Sequence, residues 1–87
     1  MTNLEILDLA SHNVPNAGLE HLKGLTNLKI LNLENNEGVS DLGLVQMRGL
    51  TNLRELNLNG TKATAAGIQE LQKVLPKVQI IHVAFGS

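Results

Sequence analysis

Four stretches of the chain align on one another: TNLEILDL at 2–9, TNLKILNL at 26–33, TNLRELNL at 51–58 and PKVQIIHV at 76–83, starting 24, 25 and 25 residues apart. The segments between them align as well. VPNAGLEHLKGL (14–25), VSDLGLVQMRGL (39–50) and ATAAGIQELQKVL (63–75) each carry a glycine, an aliphatic residue after it and a second aliphatic three residues further on. A period of this length means one supersecondary unit stacked on copies of itself, because a single such unit cannot bury its own apolar face.

The first part of each unit alternates apolar and polar residues, as at Leu31 and Leu33, which is the period of a strand with one face inward. The second part spaces its aliphatics by three, at Leu19 and Leu22, Leu44 and Met47, Ile68 and Leu71, which is helical spacing. Ser40 and Thr64 stand where a helix N-cap belongs, and Pro15 takes the equivalent place in the first unit. Asp41 follows in the first turn, where negative charge is favoured. Each helix then carries a glycine, at 18, 43 and 67, although glycine inside a helix costs about 1 kcal/mol relative to alanine. Its recurrence implies that the helix backbone passes close to a neighbouring helix or to the strand layer. Gly24 and Gly49 read as helix stops; the third unit lacks one, so its helix is expected to run longer.

Strand, turn and helix repeated in one direction give parallel strands joined by right-handed crossovers, hence an α/β solenoid with strands on a concave face and helices on the convex one. LTNLKILNLENN resembles the leucine-rich repeat core Leu-x-x-Leu-x-Leu-x-x-Asn, with Leu28, Leu31, Leu33 and Asn36 in the pattern positions. The intervening halves resemble the longer repeats of bacterial and ribonuclease-inhibitor-like members, and GIQELQKVLPKVQI (67–80) resembles the closing repeat of such bacterial proteins. The resemblance implies one domain over 1–87, with units 2–25, 26–50 and 51–75 and a partial closing unit 76–87. His12, Thr61 and Gly86 replace the pattern asparagine in the other units, so a continuous asparagine ladder is not expected. The second unit carries an extra residue in NNEGVSD, read as a bulged turn.

Composition narrows function mainly by exclusion. Seven basic against eight acidic residues give a net charge of −1, which offers no electrostatic footprint for nucleic acid or an anionic membrane surface. One phenylalanine and no tryptophan or tyrosine leave an aliphatic core and few aromatic anchors. With no cysteine there are no disulfides or thiolate metal sites, and the compartment stays open, with the cytoplasm slightly favoured. No basic-then-apolar leader follows Met1 and no apolar run approaches a membrane span.

Residues between the strand leucines point away from the core. Stacking the units gives the columns Ile6, Ile30, Glu55, Ile80; then Asp8, Asn32, Asn57, His82; then Ala10, Glu34, Asn59, Ala84; and a flanking column of Glu5, Lys29, Arg54 and Gln79. The candidate binding residues for a protein or peptide are Ile6, Asp8, Lys29, Ile30, Asn32, Glu34, Arg54, Glu55, Asn57, Asn59, Ile80 and His82. The competing reading is a solvated sheet, with Asn32 and Asn57 pairing across strands and Glu5, Lys29 and Arg54 in ordinary charge pairs.

Chemistry finds no purchase. Asp8 and His82 share a column but stand three strand spacings, ~14 Å, apart, beyond proton-transfer reach. Ser11 and His12 are adjacent in a turn with nothing placed to orient the histidine. His12, His21 and His82 fall on a turn, a helix and a strand and do not converge on a metal, and no cofactor is implied. Asn59-Gly60-Thr61 matches a glycosylation acceptor but also a common turn, and is read as a turn. The chain is therefore expected to be non-catalytic.

Solenoid ends expose apolar surface unless capped. Met1 stands where Leu25, Leu50 and Leu75 precede the other strands, so the first unit is expected to be uncapped: either the chain is part of a longer array, or it self-associates as a homodimer through Leu4, Leu7, Leu9, Leu19 and Leu22. That second, structural role is the alternative to partner binding. Phe85 is read as a modest lid on the last unit.

Overall fold

The alternating leucines form short strands and the aliphatics spaced by three form short helices. The computed structural model describes residues 4–82, so the expectations for Met1, Ala84, Phe85 and Gly86 lie outside the described residues. Along the chain run β1 (Ile6–Asp8), α1 (Asn16–Leu19) continued by a 3-10 turn (Glu20–Leu22), β2 (Ile30–Asn32), α2 (Asp41–Val45), β3 (Glu55–Asn57), α3 (Ala65–Val74) and β4 (Gln79–Ile81). The strands form one parallel sheet in the order β1-β2-β3-β4, and the helices stack alongside, α1 on α2 and α2 on α3. Leucines fill the space between. Leu28, Leu31, Leu33, Leu53, Leu56 and Leu58 from the strand segments meet Leu19, Leu44, Met47, Leu50 and Leu71 from the helical ones in a single buried cluster. At roughly 1.5–3 kcal/mol for each large aliphatic withdrawn from water, this seam is the main stabilising term.

The third helix is the long one, as expected, with ten residues against four and five in α1 and α2, but not for want of a glycine stop. Gly24 and Gly49 act differently from the expectation. Neither adopts the positive φ of a left-handed cap, α2 ends at Val45, and a Cβ on either glycine would meet open space. The helices end earlier because the chain must turn back toward the next strand. One left-handed residue does recur, at the same point of each turn after the strand: Ser11 (φ 58), Asn35 (φ 63) and Gly60 (φ 77).

Two of the three helix glycines are explained by the preceding unit, whereas a Cβ on Gly18 would meet only Val14 and Pro15 of its own turn, at 3.3 Å, and not a neighbouring helix or the strand layer. A Cβ on Gly43 would run into the side chains of Asn16 and Leu19, and one on Gly67 into the carboxylate of Asp41. Those two polar residues clamp successive helix starts together. Asn16 accepts from the backbone N–H of Ser40 at 2.8 Å and donates through Nδ2 to its Oγ at 2.8 Å. Asp41 accepts from the N–H of Thr64 at 2.8 Å and from its hydroxyl at 2.6 Å. Ser40 thus sits at the N-cap of α2 without capping its own helix, whereas the Thr64 oxygen also accepts from Gly67 N–H at 3.2 Å. Asp41 ties units together, which a favourable charge in a helix's first turn does not require.

The last strand enters one residue earlier than the repeat spacing implies. Ile6 pairs with Ile30 and Ile30 with Glu55, but Glu55 pairs with Gln79, Leu56 with Ile80 and Asn57 with Ile81. Val78 is buried like Leu53, and its N–H bonds to Leu75 as that of Leu53 does to Leu50. In the earlier units one carbonyl accepts from two successive N–H groups, Glu5 from Lys29 and Ile30 and Lys29 from Arg54 and Glu55, whereas the Arg54 carbonyl accepts from Gln79 at 2.8 Å, which then pairs directly with Glu55. The flanking residue that Lys29 and Arg54 supply has no counterpart here. A slip of one residue exchanges the two faces of a strand, so Ile80 turns inward and packs against the core. Its expected place on the exposed face is corrected accordingly. Ile80→Ala should therefore lower stability by about 2 kcal/mol, the low end for aliphatic truncation in a core, and Ile81→Ala by well under half of that; equal losses in urea denaturation would refute the register.

Candidate binding face

The side chains on the outer surface of the sheet follow from that register. The first column is Ile6, Ile30, Glu55 and Gln79; the second is Asp8, Asn32, Asn57 and Ile81. His82 follows Ile81 and lies outside the second column, so the expected alignment of His82 with Asp8 does not occur, and Gln79 leaves the flanking column for the first. The isoleucine stripe is accordingly shorter than expected. Ile6 is 62% exposed and Ile30 half-buried beside it, but the stripe ends there, at Glu55.

Asp8, Asn32 and Asn57 share one geometry. Each side-chain Oδ1 accepts from the backbone N–H two residues on, at Ala10, Glu34 and Asn59, at 3.0 Å in all three. These are Asx turns that bend the chain as it leaves the strand, and they replace the expected pairing of Asn32 with Asn57. Ser11 and Asn35 then donate their N–H groups to Glu34 and Asn59 carbonyls at 2.8 Å, carrying the backbone pairing past the strands. The face is thereby held at its outer edge by the same residues that present it.

The flanking charges are only partly paired. Lys29 Nζ lies 3.6 Å from Glu5 Oε1, with both side chains more than half exposed, a contact worth at most about 1 kcal/mol. Among the described residues Arg54 makes no ion pair. Glu5, Asp8, Glu34 and Glu55 outnumber Lys29 and Arg54 on and beside the face.

Reactive groups stay apart. His12 Nδ1 lies 2.7 Å from the carbonyl of Ala10 in an exposed turn, and among the described residues no group of three potential metal ligands comes together. No helix of the described chain is long and apolar enough to cross a membrane.

Asn36, in contrast, is withdrawn from any partner. It is completely buried and donates through Nδ2 to the carbonyls of Leu9 (2.8 Å), Leu33 (3.0 Å) and Glu34 (3.3 Å), while its Oδ1 accepts from Val14 N–H at 2.8 Å. It joins the first unit to the second. Thr61 fills the same place in the third unit, but its hydroxyl donates to its own Leu58 carbonyl at 2.7 Å and accepts from Ala63 N–H at 3.4 Å, so its side chain bonds only within that unit. The bond between units made there by backbone runs from Lys62 N–H to Val39 carbonyl at 2.7 Å.

The self-association set is also reduced. Leu19 and Leu22 are buried in the core, and Leu7 and Leu9 are partly buried against it, which leaves Leu4, 40% exposed.

The sequence model of the family described as leucine rich repeat matches residues 2–62. No curated protein matches the chain.

Proposed function

The chain belongs to the leucine-rich repeat family, and on that premise we propose that it is a non-catalytic module binding a protein or peptide across the strand face. The observation that carries this reading is the exposed Ile6 and half-buried Ile30, set beside one another by the β1–β2 register and bordered by charged residues. Adjacent exposed aliphatics on an otherwise polar surface mark contact sites, and parallel pairing fixes their spacing before any partner arrives. The ligand set is Ile6, Asp8, Lys29, Ile30, Asn32, Glu34, Arg54, Glu55, Asn57 and Asn59, with Gln79 and Ile81 in place of Ile80 and His82. The excess of carboxylates favours a partner segment that is basic around an apolar residue. Assembly through the first unit has less support, because Leu19 and Leu22 are already buried.

Peptides selected from a random library against the folded domain provide the test. Most selected clones should be enriched in Lys or Arg around an aliphatic residue and should lose at least about tenfold in affinity against Glu34→Lys combined with Asn57→Arg, through like-charge repulsion. Clones that bind this double variant unchanged would place recognition elsewhere.

A further inference from the structure

The helix layer holds apolar surface that the repeat itself does not require. On α2, Leu42 is 73% and Val45 56% exposed, and residues three apart on a helix are neighbours. The corresponding positions, counted from the helix glycine, hold Ala17 and Glu20 in the first unit and Ala66 and Gln69 in the third. Two units therefore fold with alanine and a polar residue where the second exposes leucine and valine.

Beside this pair lies a groove of about 360 Å³ between α2 and α3, lined by Leu44, Val45, Ala66 and Leu71 with Arg48 and Glu70 among its polar lining residues. It is large enough for one bulky side chain. Of its charged groups, Asp41 spends both oxygens on Thr64 and Glu70 pairs with Lys73 at 3.2 Å. Arg48 makes no side-chain hydrogen bond or ion pair among the described residues. Asp41 keeps its negative charge, and the lining charge left without a polar partner among the described residues is the Arg48 cation.

We propose that this groove docks a partner-protein segment carrying an aliphatic or aromatic side chain next to an aspartate or glutamate. The apolar group enters between Val45 and Leu71, and the carboxylate meets the Arg48 guanidinium, whose planar fork suits bidentate pairing. A second copy is the poorer occupant. A five-residue helix and its groove offer far less than the roughly 800 Å² per partner of a stable interface. The chemistry is opposite to that favoured on the strand face, so the two surfaces select different segments.

The probe is acetyl-Ala-Phe-Glu-Ala-amide, titrated to about 1 mM and beyond into isotope-labelled protein while backbone amide shifts are recorded. The expected result is saturable shifts at Val45, Arg48, Gly67 and Leu71, with Ile30 and Asn57 unmoved. Affinity should fall by up to about fivefold for the peptide with Gln in place of Glu, the upper worth of an exposed ion pair, and by more for Arg48→Glu, where like-charge repulsion is added. Glu34→Lys with Asn57→Arg should leave it unchanged, which separates failure here from failure of the strand-face reading. No saturable shifts around the groove, or equal binding of the Glu and Gln peptides, would overturn the proposal. The peptide comparison decides even if a protein variant misfolds.

Discussion

Asn36→Ala is expected to lower the unfolding free energy by roughly 3 kcal/mol, because the Val14 N–H and the Leu9 carbonyl each lose their Asn36 partner and an unsatisfied buried polar group costs about 1–3 kcal/mol. For a chain of 87 residues with a net stability of about 0.05–0.15 kcal/mol per residue, that is a large fraction of the whole. Asn36→Asp keeps the oxygen facing Val14 but replaces the donor with a second acceptor, set against the carbonyls of Leu9, Leu33 and Glu34. The folded state then favours the protonated form, so the carboxyl titrates higher in the folded protein than in the unfolded chain. Whatever stability it retains is present below about pH 4 and is lost as the pH rises through the folded value. Urea melts at pH 3.5 and pH 7 check both parts, and an Asn36→Asp protein with the same pH dependence as the parent would contradict the hydrogen-bond assignment.

The leucine period announces this fold because it is a packing requirement met by every unit. Leu31 and Leu56 face inward for the same reason, and nothing local competes with that pattern. Gly43 and Gly67 also announce close contact, and the neighbours are the Asn16, Leu19 and Asp41 side chains of the preceding units. The clamp itself was hidden. Asn16, Ser40, Asp41 and Thr64 look like ordinary helix-start residues, and only the spacing between units decides whether their oxygens serve their own helix or the next one. The face of the last strand was hidden for another reason. Ile80 and Ile81 are equally apolar, so alternation cannot choose which turns inward, and the choice falls to the missing residue between Val78 and Gln79. Leu42 and Val45 escape notice because aliphatics three apart in a helix ordinarily signal the buried side; here the buried side is taken by Leu44 and Met47.

Leu56→Ala should be among the most damaging truncations, with an expected loss of about 3–4 kcal/mol. Leu56 is fully buried and lies in register between Leu31 and Ile80, so the methyl groups it would lose are surrounded by units that cannot collapse without breaking strand pairing. The usual range for such a change is roughly 2–5 kcal/mol, and the residual cavity decides where within it a site falls. Leu7 occupies the same column on β1 but is only partly buried, with a strand on one side. Leu7→Ala should therefore lose about half as much, since part of its surface is already in water and less cavity is left behind. The comparison, read as the shift in urea midpoint at constant slope, distinguishes a core continuous through the stack from independent units. Equal losses at the two sites would mean that each unit is stabilised by its own leucines, and the inter-unit contacts of Asn36 and Asp41 would then carry little weight.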